Sequence, residues 1–285
     1  MSTIDLQRFT YSHHKGSYRH LAAIFLLGVV VSTAFGLDSS SRPLEADKVK
    51  VLIQRSADVM DRNWNRQSEY EFSETDLQQD GSSKTFKELM ILGTRYEHLV
   101  SINDKPLTAA QLEEENRKLL RTIAQRRAES EPERKKRLDT EQRSLDRDHA
   151  MLRQMAQAMD FSYIGEQELD GHEVYVIRAT PKPGYRPPTR ELEVLTGMQG
   201  QLWIDKKSLS WVRVEAQVVK PVLIGGFLAR VEPGTRFELD MVQVADSVWL
   251  PKHYSMKARA KILLLVRRES HEDERYFEYQ QASQY

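Results

Sequence analysis

The chain has 285 residues, with 42 Lys and Arg against 42 Asp and Glu, and it contains no cysteine. The balanced charge gives no global basic field for nucleic acid, and the lack of cysteine excludes disulfides, thiolate catalysis and Cys-ligated metal sites. Because 40% of the residues are apolar, the chain has the material for a hydrophobic core, which excludes wholesale disorder.

The first 36 residues have the pattern of an export signal. Arg8, Lys15 and Arg19 precede a charge-free apolar run over residues 21–35. A basic region, an apolar region and small residues, in this order, are typical of a secretory signal peptide. We expect cleavage near Gly36, and an uncleaved N-terminal anchor is the alternative. Nothing later in the chain is apolar enough to predict a transmembrane span.

The mature chain is expected to begin with one helix and a short sheet. Apolar residues at nearly helical spacing predict a helix over about 44–65. The pattern then changes to alternation, and turn signals separate the alternating segments between residues 69 and 106. This change of period predicts a short antiparallel meander after the helix.

Residues 108–160 carry 12 Lys and Arg and 11 Asp and Glu, interspersed in sign. Thr108 and Gln111 resemble a capping box, and Pro132 suits the first turn of a second helix. The pattern therefore predicts a long charged helical hairpin. Its single apolar stripe allows either packing on the body or a self-associating coiled coil. Packing is favoured because a coiled coil needs more sustained heptads.

Strand patterns return at residue 161 and continue to the end of the chain. We count about ten to eleven strands, joined by turns except around the long helices. The prediction is an α+β fold with one large antiparallel sheet, of which one face is covered by the helices at 44–65 and 108–160.

Alternation in the C-terminal strands places apolar side chains on one face and charged side chains on the other. It places Trp211 on the charged face, together with Arg213 and Glu215. Several apolar positions are small, which suggests room beneath the covering helices. We expect this room to be an apolar cavity for acyl chains or a similar hydrophobe; helices that fill it completely fit the pattern equally well. The residues expected to line the cavity are Val214, Ala216, Val218, Leu239, Met241, Met256, Ala258 and Ala260.

The segment between two of these strands is unusually apolar for a loop. It is interpreted as a movable flap over the cavity mouth with a two-glycine hinge, and a buried β-corner is the alternative. The flap residues are Leu223, Ile224, Gly225, Gly226, Phe227 and Leu228.

No pattern of catalytic or metal-binding residues stands out. The sequence has no phosphate-binding loop, no nucleophile elbow and no His-Glu-x-x-His pair. The nearest approaches to metal ligands are His172-Glu173 and the stretch from His271 to Glu274, which the alternation places on the solvated face. We therefore expect no catalytic residue, no metal site and no cofactor.

Two short motifs resemble the outer-membrane lipoprotein-sorting (LolA/LolB-like) superfamily. The first is Gly200-Gln-Leu-Trp-Ile-Asp205 followed by Leu209-Ser-Trp-Val-Arg213, and the second is Val248-Trp-Leu-Pro251. The resemblance covers about 44–107 and 161–281. It implies a curved antiparallel half-barrel with helices on its concave face, in a periplasmic protein that carries or senses lipoproteins or lipids. The insertion at 108–160 departs from the family pattern.

Together these features predict a signal peptide at 1–36 and a single LolA-like domain at 37–285 with the helical insertion. The expected function is that of a non-enzymatic periplasmic carrier or sensor of lipoprotein acyl chains or another hydrophobic ligand. The alternative is an envelope protein–protein interaction module that uses the 108–160 arm and has no ligand cavity. Nucleic acid is not an expected partner.

Overall fold

The computed structural model describes residues 44–226, 228–263 and 265–283. The predicted signal peptide, with its cleavage site near Gly36, lies outside the described residues. The fold is α+β, as predicted, with one open antiparallel sheet of 13 strands and helices on one of its faces.

Three α-helices carry the helical part of the fold. The first confirms the predicted helix, and the other two confirm the predicted hairpin. Thr108 begins the second helix with a complete capping box, in which its amide donates to Gln111 Oε1 at 2.9 Å. Pro132 lies in the first turn of the third helix. The helices are α1 Ala46–Asn65, α2 Ala109–Arg127 and α3 Glu131–Ala158, with short 3₁₀ helices at Arg66–Glu69 and Glu191–Gly197.

The number of strands exceeds the predicted ten to eleven because a short strand forms at each end of the predicted flap and a two-residue strand follows the first meander. The strands are β1 Tyr70–Leu77, β2 Ser83–Ile91, β3 Thr94–Ile102, β4 Lys105–Pro106, β5 Met159–Leu169, β6 His172–Pro181, β7 Met198–Asp205, β8 Trp211–Val218, β9 Val222–Ile224, β10 Ala229–Val231, β11 Arg236–Ala245, β12 Val248–Ile262 and β13 Val266–Gln281.

The strand order is β4-β3-β2-β1-β13-β12-β11-β8-β7-β6-β5. The first meander therefore joins the rest of the sheet through β1 and β13. Strand β12 is long enough to pair with β11 along its first part and with β10 near its end. Strand β9 then pairs with β10.

The face of the sheet that carries α1 has two halves of different chemistry. Residues directly opposite in antiparallel strands share a face, so the strand register can be followed from one edge to the other. On this inner face the residues from β5 to β12 are mainly apolar. From β13 to β3 they include six carboxylates: Glu74, Asp76, Glu88, Glu97, Glu272 and Glu274. The boundary runs between β12 and β13, where Met256 is opposite Glu272.

Helix α1 covers the apolar half through one face of the helix. Its buried side chains recur at helical spacing, at Val49, Ile53, Ser56, Met60 and Asn63. They join the main hydrophobic core together with β6, β7, β8, β11 and β12. Burial of this stripe, rather than helix propensity, stabilises α1.

The charged hairpin packs on the body by means of two arginines. Arg126 donates to the carbonyl oxygens of Ile91 at 2.8 Å, Thr94 at 2.9 Å and Arg95 at 3.0 Å. Arg137 donates to the carbonyl oxygen of Leu92 at 3.1 Å. Both side chains therefore bind the turn between β2 and β3. From this turn, α3 runs towards α1, where Arg153 forms an ion pair with Asp61 at 3.3 Å.

Candidate functional site

The residues predicted to line a cavity lie together on the apolar half of the inner face. Seven of the eight are buried, and Ala216 is partly exposed. All except Ala260 pack in or against the main core, and Ala260 lies further along β12 opposite Val231 of β10. The sequence thus identified a real apolar surface, which α1 covers in part.

A row of small residues crosses the middle of this surface, and we refer to Ala179, Gly200 and Ala216 as the small-residue row. They are direct cross-strand neighbours on β6, β7 and β8. Phe161 on β5 is opposite Ala179, and Phe237 on β11 is opposite Ala216. The surface is therefore low in the middle and flanked by a phenyl ring at each end.

Part of the small-residue row is less buried than the surface around it, since Gly200 and Ala216 are partly exposed, whereas Ala179 is buried. Phe161, Ala216 and Phe237 face inward, and all three remain partly exposed to solvent. The neighbouring inner row, which contains Leu202, Val214 and Leu239, is buried. Side chains of the covering elements thus fill the second row and leave part of the first accessible.

Gly200, the first residue of the motif that resembles the lipoprotein-sorting proteins, has a steric role. A Cβ atom at this position would lie 2.3 Å from the carbonyl oxygen of Glu215 and 3.1 Å from Cα of Ala216. Both are backbone atoms, which cannot move away as the end of a flexible side chain can. Glycine is therefore required for the close approach of β7 to β8 beside the small-residue row.

Helix α1 is held over the apolar half by a few specific polar contacts. The indole N–H of Trp211 donates to Ser56 Oγ at 3.1 Å, and Asn63 Nδ2 donates to Ser210 Oγ at 3.2 Å. Trp211 faces inward because the register shifts between Trp203 and Ile204. Strict alternation had predicted Trp211 on the charged face, and that prediction is wrong.

The segment predicted to be a flap forms the β9–β10 hairpin. Gly225 and Gly226 make its turn at positive φ angles of 58° and 77°. The amide of Gly225 donates to Glu193 Oε2 at 2.6 Å. Within the segment, Ile224 and Leu228 are partly buried, whereas Leu223 is exposed and Phe227 lies outside the described residues. The segment is thus a strand pair attached to the sheet through β12.

The second half of the inner face holds a patch of carboxylates that the sequence analysis missed. We define this acidic patch as Glu74, Asp76, Glu88 and Glu274. Asp76, Glu88 and Glu274 are buried, and Glu74 is partly buried. Arg95 is buried beside them, with its guanidinium 4.7 Å from the centre of the Phe72 ring.

Burial changes the protonation of this patch. Loss of hydration raises the pKa of Glu88 to about 8, although Arg95 lowers it in part. Burial, together with the nearby Glu88, Glu274 and Asp76, raises the pKa of Glu74 well above its usual value. Burial also raises the pKa of Glu141 of α3. The patch can therefore hold protons near neutral pH, where solvated carboxyl groups would be ionised.

Carboxylate oxygens of Glu74, Asp76 and Glu274 lie within 4.8 Å of one another. This is a donor set that a hard divalent cation could use. The sequence had predicted no metal site and had placed the stretch from His271 to Glu274 on the solvated face. For Glu274 that placement is wrong, because the residue is buried on the inner face. Acidic residues two apart on both β1 and β13 were the available signal, and only the pairing of these strands places them together.

Among the described residues, no helix is both long and apolar enough to span a bilayer. Neither a protein-family profile nor a curated protein sequence matches the chain.

The chain is similar to solved structures, at low identity. A DUF1329 family protein from Desulfovibrio piger has 11% sequence identity and a TM-score of 0.31, and the match covers 83% of this chain and 92% of that chain. An outer membrane lipoprotein-sorting protein domain from Vibrio parahaemolyticus has 10% identity and a TM-score of 0.29, with 80% and 93% covered. The second match is to a protein of the kind that the two sequence motifs resemble. At this level of similarity, neither protein indicates a ligand for this chain.

Proposed function

We propose that the chain is a non-enzymatic carrier or sensor in the periplasm, which binds lipoprotein acyl chains or another hydrophobic ligand on the apolar half of its inner face. Residues 1–36 serve as the export signal, and residues 37–285 form one domain. The ligand lies along the small-residue row, between Phe161 and Phe237.

The observation that carries this proposal is the partial exposure of inward-facing apolar residues. Phe161, Ala216 and Phe237 lie on the same face as the buried core, yet they retain contact with water. Apolar side chains gain about 25 cal/mol for each Å² removed from water, so a hydrophobe that covered this row would be bound favourably. An acyl chain suits a narrow row with alanine and glycine at its centre and a phenyl ring at either end.

Access to the row depends on α1. This helix is the main cover of the apolar half, and two side-chain hydrogen bonds, Trp211 to Ser56 and Asn63 to Ser210, connect it to the sheet. A small displacement of α1 would widen the row while its buried stripe remained on the core. Because the sheet is open, a long acyl chain could extend past the end of the small-residue row at the edge of the sheet.

Retention of a hydrophobic ligand tests the proposal directly. The full chain is purified under mild conditions and examined by native mass spectrometry, with lipid extraction of the same sample. We expect copurified acyl-chain ligand and expect Ala216→Phe, which raises the floor of the row, to reduce it at least about tenfold. Gln217→Phe is the matched control, because Gln217 is the next residue of β8 and faces the other side of the sheet.

Two outcomes would overturn the proposal. One is a chain that retains no hydrophobe and binds no added fatty acid. The other is ligand retention that Ala216→Phe and Gln217→Phe lower equally, because the ligand would then bind elsewhere.

The helical arm supports a second candidate function, binding of an envelope protein partner. The exposed side chains of Leu112 and Leu120 on α2 are the observation that favours it. A partner that covered both leucines would remove their apolar area from water, which is favourable by about 25 cal/mol for each Å². Replacing both with Ser should abolish capture of such a partner and leave ligand retention unchanged.

A further inference from the structure

At one end of the sheet, two β-hairpin turns lie side by side. The turn between β9 and β10 is adjacent to the turn that follows β12, because Ala229 is opposite Ile262. A hydrogen bond from the amide of Leu263 to the carbonyl oxygen of Leu228, 2.9 Å long, links them directly. We call this end of the molecule, residues 222–226, 228–229, 262–263 and 265–266, the double-turn tip.

The double-turn tip exposes large apolar side chains. Leu265 is 85% exposed, Val266 52%, Leu223 49% and Leu263 42%. These four belong to the nine exposed large hydrophobic residues of the described chain, and they lie on two adjacent turns. Exposed apolar residues scattered singly need no explanation, whereas a cluster at a projecting end indicates a binding surface.

Basic residues surround the tip. Residues 219–234 and 257–270 carry seven Lys and Arg and only two acids, in a chain whose overall charge is balanced. Glu232 lies 3.3 Å from Lys261, and Glu269 lies 3.2 Å from Arg259, so both acids are paired. No ion pair within the described residues engages Arg267 or Arg268, which directly follow the exposed turn.

We call the seven basic residues of these two stretches the basic collar: Lys220, Arg230, Lys257, Arg259, Lys261, Arg267 and Arg268. A pocket lies on one side of the basic collar. Its volume is about 420 Å³, and Arg259, Lys261 and Arg267 line it together with Glu232 and Glu269. Because the two acids pair with Lys261 and Arg259, Arg267 supplies the unpaired positive charge of the pocket. A cation beside an apolar tip matches a phospholipid, whose phosphate group lies immediately outside the acyl chains. Apolar side chains that project beyond a ring of Lys and Arg are the arrangement by which proteins attach to the surface of an anionic bilayer.

We propose that the double-turn tip docks on an anionic lipid surface, with Leu263, Leu265 and Leu223 inserted among the acyl chains and the basic collar bound to lipid phosphates. This inference goes beyond the proposed carrier function and does not depend on it. A chain that bound vesicles but retained no hydrophobic ligand would overturn the carrier proposal alone.

The first test measures binding of the full chain to vesicles. We expect sedimentation with vesicles of phosphatidylglycerol and phosphatidylethanolamine, little with phosphatidylcholine, and loss of binding as salt rises. Leu265→Asp should weaken binding at least about tenfold, whereas Leu120→Asp, at a leucine that is 65% exposed on α2, should not. Each charge removed by Arg267→Gln or Arg268→Gln should cost about fivefold, with Lys135→Gln and Lys136→Gln on exposed α3 as controls.

The apolar run at 21–35 could also contribute to vesicle binding by the full chain. A second test therefore measures contact between the tip and the lipid directly. Because the chain has no cysteine, Leu265→Cys and Leu120→Cys each allow a single environment-sensitive fluorophore to be attached. We expect anionic vesicles to shift the emission of the probe at position 265 to the blue, and brominated lipid to quench it. The probe at position 120 should show neither effect.

Three results would overturn the inference. The first is a probe at position 265 that does not respond to anionic vesicles. The second is equal vesicle binding by Leu265→Asp and Leu120→Asp together with an unresponsive probe. The third is a wild-type dimer that Leu265→Asp converts to a monomer without any lipid, because the tip would then bind a second copy of the chain.

Discussion

The hydroxyl group of Ser56 accepts a hydrogen bond from the indole N–H of Trp211 across the interface between α1 and the sheet. Ser56 also donates to the carbonyl oxygen of Ile53 at 2.9 Å, so it satisfies both groups at once. Both side chains are buried, and this contact fixes the position of α1 along the apolar half of the inner face.

Ser56→Ala should therefore lower the free energy of unfolding. The substitution leaves the indole N–H of Trp211 buried without its acceptor, which costs about 1 to 3 kcal/mol. Urea unfolding monitored by tryptophan fluorescence measures the change. Ser68→Ala is the control, since Ser68 is exposed and the change there should stay below about 0.5 kcal/mol. Equal effects at the two serines would contradict the role given to Ser56.

The attachment of the arm predicts a local effect of Arg126→Met. This variant keeps an unbranched apolar stem and loses the hydrogen bonds to the β2–β3 turn, at a cost on the order of 2 kcal/mol. We expect a Glu-specific protease to cleave faster after Glu129, between α2 and α3. Arg127→Met is the matched control because Arg127 is the exposed neighbour. An unchanged cleavage rate in Arg126→Met would show that other contacts hold the arm.

The acidic patch predicts a stability that falls with rising pH. Glu88 has a pKa near 8 when folded, above the value of about 4.3 that an unfolded glutamate has. The folded state therefore holds the extra proton between these values, and its contribution to stability is complete at low pH and is lost as the pH rises towards 8. Glu88→Gln removes this dependence.

Relative to the wild type, the free energy of unfolding of Glu88→Gln should rise by about 3 to 4 kcal/mol between pH 5 and pH 8. Chemical unfolding at a series of pH values measures this gain. Glu173→Gln, at an exposed glutamate of β6, should keep the wild-type slope. If the free energy of unfolding changed with pH in the same way for the wild type and Glu88→Gln, the prediction would be contradicted.

Gly200→Ala should destabilise the sheet beside the small-residue row. The added methyl group would overlap the carbonyl oxygen of Glu215, and the strands would have to separate. Overpacking of this kind costs about 2 kcal/mol or more. Gly81→Ala is the comparison, because it meets no atom within 4 Å and strains only a φ of 82°, at about 1 kcal/mol. Thermal unfolding that ranks Gly81→Ala as the more harmful change would be evidence against a tight approach of β7 to β8.

The sequence predicted the parts of the fold that local patterns encode. The spacing of apolar residues predicted α1 close to its observed bounds. The capping box at Thr108 and the proline at 132 did the same for the α2–α3 hairpin, because both are local signals. Alternation placed most strands. It failed at Trp211, where a register shift reverses the faces, because a bulge depends on the partner strand.

The candidate site divides in the same way. The apolar lining could be predicted because Val214, Leu239 and Met256 each follow the alternation of their own strand. The acidic patch could not, because Asp76 and Glu274 lie nearly 200 residues apart in sequence and only the β1–β13 pairing brings them together. Packing of the arm on the body was predicted, but the residues that attach it were not, because the acceptors of Arg126 are backbone carbonyls.

The neighbouring position of β1 and β13 has a consequence for how the chain folds. Strands β1 to β4 contact the remaining strands of the sheet through β13, with Tyr70 opposite Gln281 and the amide of Ala282 donating to Glu69. Until β13 is in place, the first meander and the large sheet are separate pieces, and each has an unpaired edge. Contacts so distant in sequence form slowly, so a chain emerging in order must keep its first meander apart until its last strand arrives.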